Sequence, residues 1–204
     1  MPALPATTDR AVALLRDFGA ESIAHPGGTL LTHLQRVQAR LATWKARPAL
    51  RLAGLCHAFY GTDGFPAALL PLDRRDDLAA VIGAEAEAIV YLYASCDRKA
   101  TYPGLHQADA AFHDRFTGRS HVPGPQARRD FTELSAANEL DLAVIDPAFR
   151  AEWGPALLTL FTRVRDLLSA DAWLECRTAL AAPASEPPDR NAASALPAGK
   201  TGRR

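Results

Sequence analysis

Cysteine is scarce: Cys56, Cys96 and Cys176 are the only three in 204 residues. An odd number at wide spacing excludes a disulfide framework and a zinc knuckle. Neither sign of charge is in excess, with 23 basic and 23 acidic residues. That argues against a nucleic-acid partner, which calls for a basic stripe. No apolar run approaches the roughly 18 residues of a membrane span, and no charged start leads into an apolar stretch. The expectation is a cytoplasmic protein with no membrane partner. Period-two alternation is absent, so no strand is predicted, and no internal repeat is found. The basic residues are nearly all arginine; with the high alanine content this reads as compositional bias as readily as a functional signal.

Hydrophobic residues make up 48% and charged ones 23%, enough for a core under a polar surface. The length suits one domain with a tail. Helical spacing governs the chain from Asp9 to Ala181, giving an all-α fold over residues 1–181. From 182 to 204 alanine, proline, serine and charge follow without periodicity, which predicts a disordered tail that cannot repay its ordering entropy. Helices are expected at Asp9–Gly19, from Thr29 (an N-cap) through His33, and from Pro48 through His57 to Phe59. Further helices are expected at Asp73–Ile82, Ala84–Ala94, Gln126–Ile145, Phe149–Ser169 and Asp171–Ala181. Trp44, Trp153 and Trp173 fall on helix faces and read as core.

His33 and His57 are the informative residues. His33 shares a stripe with Leu30, Leu34, Val37, Leu41 and Trp44, and His57 closes the apolar segment Leu50–Phe59. A buried imidazole without a partner costs about 1–3 kcal/mol. Two such residues on consecutive inner helices are explained by a shared metal or anion, or by separate bonds to backbone carbonyls. The turn Tyr60-Gly61-Thr62-Asp63-Gly64 follows, and Tyr60 and Thr62 suit either substrate contacts or loop support. Arg98, in the irregular stretch Cys96–Pro125, suits an anion clamp or a surface ion pair.

The order of these motifs resembles the HD-domain superfamily of metal-dependent phosphohydrolases and related oxygenases, best its guanosine-tetraphosphate hydrolase-like branch. His33, Leu55-Cys56-His57, the Tyr60–Gly64 turn, Ile82-Gly83-Ala84-Glu85-Ala86-Glu87 and Ala137-Asn138 follow that order over about Asp9–Ile145. His57-Ala58-Phe59-Tyr60-Gly61-Thr62, with His25-Pro26-Gly27-Gly28 upstream, is similar to an HD-like family of unknown function. The resemblance implies an HD-domain-like helical bundle and a divalent transition metal (iron, zinc or manganese) acting on a small polar metabolite. It implies His33 and His57 as ligands; His25, Asp63, Asn138 and Asp141 are the candidates for a third, or else His25 caps a turn, Asp63 forms an Asx-turn with Phe65 and Asp141 pairs with an arginine. Asp63 and Tyr60 are the catalytic candidates; Thr62, Arg98 and Asn138 are the substrate-binding candidates. The sequence departs from the superfamily where Ala58 and Asn138 replace its carboxylates and Gly61-Thr62 stand at its Glu-Asp pair. A catalytically degenerate fold that binds a small molecule or a protein is the alternative.

Overall fold

A computed structural model of the chain describes residues 6–65 and 67–181. Local signals start most helices. Thr29 accepts from the Thr32 amide and opens α2 (Leu30–Thr43), and Pro48 takes the first position of α3 (Pro48–Cys56). Before them, α1 (Thr7–Asp17) begins two residues ahead of the expected Asp9 cap, which instead sits in its first turn. A tight turn at Gly27 and Gly28, both with positive φ, folds β1 (Ala24–His25) back on β2 (Gly28–Thr29). The pair is too short for alternation to reveal.

Gly83, at φ 87°, separates α4 (Arg75–Ile82) from α5 (Ala84–Ser95). Asp97 caps the single-turn α6 (Arg98–Thr101). A second ribbon, β3 (Phe112–Asp114) with β4 (Arg119–His121), leads to α7 (Pro125–Ile145). Asp146 caps α8 (Pro147–Arg163), and α9 (Ala170–Ala181) closes the described chain. The helix expected at Phe149–Ser169 therefore starts earlier and stops at Arg163, where a 3-10 turn intervenes. The expected tail, 182–204, lies outside the described residues.

Helix α7 is the axis of the bundle, contacted by α2, α3, α5, α8 and α9. Surrounded in this way, it buries Phe131, Leu134 and Leu140 together with Asp130, Asn138, Glu139 and Asp141. Each buried polar group then needs a partner inside the protein. Thr132 and Ser135 return their hydroxyls to carbonyls one turn back, and Arg47 grips Asp130. Helices α2 and α3 approach closely because Gly54 has no Cβ to meet Leu41. Trp44 is buried, but Trp153 is 49% exposed on α8, against the core role expected for it.

Candidate functional site

The site lies where the β1–β2 turn, the start of α2, the end of α3 and the middle of α7 meet. His33 projects from α2 onto α7: Nδ1 lies 2.7 Å from Asp141 Oδ2, and Nε2 lies 3.1 Å from Asn138 Oδ1. Asn138 and Asp141 are three residues apart on α7, so both reach the same imidazole. The Asn138 amide nitrogen donates to Glu139 Oε1, 3.2 Å away, which turns the amide oxygen toward His33. Both ring nitrogens of His33 are thus engaged by α7.

Asp141 is saturated. Arg36, one turn along α2, donates from Nε to Oδ1 and from Nη2 to Oδ2, each at 2.8 Å, and Arg40 approaches Oδ1 at 3.5 Å. Burial alone would raise the Asp141 pKa. The hydrogen bonds from His33 and Arg36 outweigh burial and hold it well below the usual carboxylate range. Arg36 also donates to the carbonyls of Pro26 and Gly27, tying down the turn that carries His25. Asp141, expected as a metal ligand, instead anchors His33 from behind.

His57 does not lie mid-helix: α3 ends at Cys56, and His57 occupies its C-cap. Its Nδ1 donates to the Gly54 carbonyl at 2.8 Å, leaving Nε2 as the acceptor. The ring stands edge-on to His33, centroids 5.3 Å apart, and edge-on to Tyr93 at the same distance. His25 stacks on the His33 ring, with centroids at 4.0 Å and planes 24° apart. Its Nδ1 is buried with no hydrogen bond of normal geometry.

The three imidazoles line a cavity of about 280 Å³, together with Thr62, Arg98, Asn138 and Glu139. Phe65 and Phe149 add apolar wall. Five sequence candidates besides His33 thus meet here: His25, His57, Thr62, Arg98 and Asn138. Tyr60 and Asp63, the catalytic candidates, do not line it. The Tyr60 hydroxyl donates to Glu87 at 2.9 Å, inside a cluster with Arg75. Asp63 is exposed and accepts from the Arg98 amide at 2.9 Å, fixing the start of α6. Arg98 is no free clamp: it donates to Glu139 at 2.9 Å and to the Tyr93 hydroxyl at 3.0 Å. Glu139 was missed in the sequence. Its only signal was its place beside Asn138.

Burial first, and the charge at His33 second, push the His57 pKa down to about 3 and that of His25 to about 4. The Pro26 carbonyl works in the opposite direction on His25. Both rings are therefore neutral at pH 7. The unfolded chain takes up these protons near pH 6.5, whereas the folded protein resists them, so acid favours unfolding. Stability is expected to be fully present above pH 6.5 and to fall as pH drops toward 4. His57 alone contributes a loss of about 2 kcal/mol between pH 7 and pH 5. Urea midpoints measured at the two pH values check this; equal midpoints would contradict it.

These donors do not fit a tightly held divalent ion. His25 and His33 are nearly parallel, so their in-plane lone pairs cannot converge on one ion about 2 Å from each. His33 Nε2 faces an amide oxygen, Asp141 is saturated, Ala58 has no donor, and Asp63 points elsewhere. Among the described residues, no group of three or more His, Cys, Asp or Glu side chains is placed to hold a metal.

The fold has known counterparts. Residues 14–98, which include His25, His33, His57 and the Tyr60–Gly64 turn, match a family model described as a domain of unknown function (DUF6817). A solved metazoan structure, reported as "A metazoan ortholog of SpoT hydrolyzes ppGpp and plays a role in starvation responses", is similar at 11% identity. The likeness covers 87% of this chain and 96% of that one, with a TM-score of 0.53. No curated protein matches. At that identity the likeness shows the fold, an all-α, HD-domain-like helical bundle. No helix among the described residues is long and apolar enough to cross a membrane.

Proposed function

We propose that this chain is an HD-fold binding protein that holds a small polar metabolite in the histidine cavity, by hydrogen bonds and without a resident metal. The carrying observation is the state of the imidazoles. His57 is locked as a neutral ring with an acceptor at Nε2, and His25 keeps a buried nitrogen without a good partner. An unpartnered buried polar atom costs about 1–3 kcal/mol, which a ligand N–H or O–H would offset. Thr62 and Asn138 supply further polar contacts in the cavity wall, and the Arg98–Glu139 pair presents both charges at its edge.

The second reading is a metal-dependent hydrolase or oxygenase with iron, zinc or manganese at His33 and His57. What favours it is that both rings send Nδ1 into an acceptor, as histidines that ligate through Nε2 do. Elemental analysis of protein purified without chelator separates the two. The expected content is well under one metal per chain, unchanged in the His33→Ala, His57→Ala double variant. In parallel, a panel of small hydroxylated and amino-bearing metabolites should contain one that raises the unfolding temperature of the wild type and not of His57→Gln. A ligand at 100 times its Kd stabilises by about 2.7 kcal/mol, well within reach of the measurement. One metal per chain, lost in the double variant, would overturn the binding-protein reading.

A further inference from the structure

The histidine cavity does not end at its polar wall. Past the Arg98–Glu139 pair a larger hollow of about 730 Å³ opens between α8 and the Tyr102-Pro103 turn. The two hollows share Gly64, Arg98, Glu139 and Phe149, so they meet at the ion pair. The outer one is walled along α8 by Trp153, Leu157 and Leu160. A tryptophan half in water at such a wall offers a flat apolar platform. The charges at its rim are unbalanced. Lys99 and Arg163 border the hollow, while its one carboxylate, Glu139, is already held by Arg98. Arg163 is oriented by the Pro103 carbonyl and His106 Nδ1, and no acid among the described residues pairs with it.

We infer that the two hollows form one site for a small amphipathic organic anion. Its apolar body lies on Trp153 and Leu157, its negative group is met by Lys99 and Arg163, and its polar head reaches the histidine cavity. This rests on the binding reading of that cavity and adds the substrate class. The apolar area of the groove supplies affinity, the rim selects charge, and the histidines read the head.

Anilinonaphthalene sulfonate, an aromatic anion, is a direct probe of the outer hollow. It should bind the wild type at one site per chain, with energy transfer from tryptophan. Leu157→Glu should weaken it at least tenfold and Lys99→Glu several-fold, the latter change falling on an exposed side chain outside the core. His57→Gln should leave it unchanged. Among straight-chain carboxylates from hexanoate to decanoate, each added methylene should tighten binding about fourfold. Loss of metabolite binding in His57→Gln with the probe unaffected tests the cavity, whereas loss of the probe in Leu157→Glu tests the groove. No probe binding, equal binding by both groove variants, or affinity independent of chain length would overturn the inference. So would a concentration-dependent dimer that buries Trp153 and excludes the probe.

Discussion

Given guanosine tetraphosphate and manganese, the purified protein is expected to release no pyrophosphate above the protein-free background. The solved structure that shares the fold is described as hydrolysing that nucleotide, so the expectation rests on side chains, not on architecture. Ala58 stands where the resemblance places an aspartate after the second histidine, and Asn138 where it places the last acidic ligand. Two formal negative charges are thereby missing from the place a divalent ion would occupy. Imidazole and amide donors alone hold such an ion weakly, and a bound hydroxide at neutral pH needs a strong electrostatic site. The nearby carboxylates do not substitute. Asp141 is committed to His33 and Arg36, Glu139 to Arg98, and Asp63 to the Arg98 amide. Among the described residues, no carboxylate lining the cavity is left free to position and deprotonate water, an effect worth about 100- to 10,000-fold where it operates. The zero net charge adds no field to draw in a highly anionic nucleotide. Manganese-dependent release that disappears in His57→Ala would restore the hydrolase assignment.

Much of the fold was legible because its signals are local. Thr29 and Pro48 mark helix starts through groups within a few residues, and the stripe through His33 fixes which face turns inward. The meeting of His33 and His57 followed from two inward stripes on consecutive helices plus the order of the motifs. What stayed hidden depends on pairs distant in sequence. Asp141 and His33 are 108 residues apart, and nothing in either neighbourhood shows that Arg36 saturates the carboxylate. Arg98 and Glu139 are 41 apart, so the ion pair at the cavity edge had no local trace. The Tyr60 turn misled for a different reason. Its chain turns sharply at Thr62–Phe65, so neighbouring side chains diverge: Thr62 lines the cavity, Tyr60 turns to Glu87 and Asp63 to the start of α6. Trp153 satisfies helical spacing for a core position, yet α7 and α9 cover only part of α8 and leave that face open.

Asp141→Ala is expected to lower the unfolding free energy by about 3–5 kcal/mol, the range for removing one partner of a buried ion pair. The carboxylate is 1% exposed and accepts from His33 and twice from Arg36. Without it His33 keeps a buried donor facing a void, and Arg36 keeps a charge with no acid to meet it. The loss also spreads to the pocket, because Arg36 bonds the Pro26 and Gly27 carbonyls that hold His25 over His33. Asp141→Asn retains the shape and one acceptor oxygen, so it should cost clearly less. Adding Arg36→Ala to Asp141→Ala should cost less than the sum of the single changes, since the second removes a charge that the first had stranded. A double-mutant cycle in urea at pH 7 should therefore return a coupling of about 0.5–3 kcal/mol. The same cycle repeated well below pH 4 should shrink as the carboxylate is protonated and the pair lost. A cost below about 1 kcal/mol for Asp141→Ala would mean that His33 is positioned by Asn138 and packing alone. The anchor described for the histidine cavity would then be wrong.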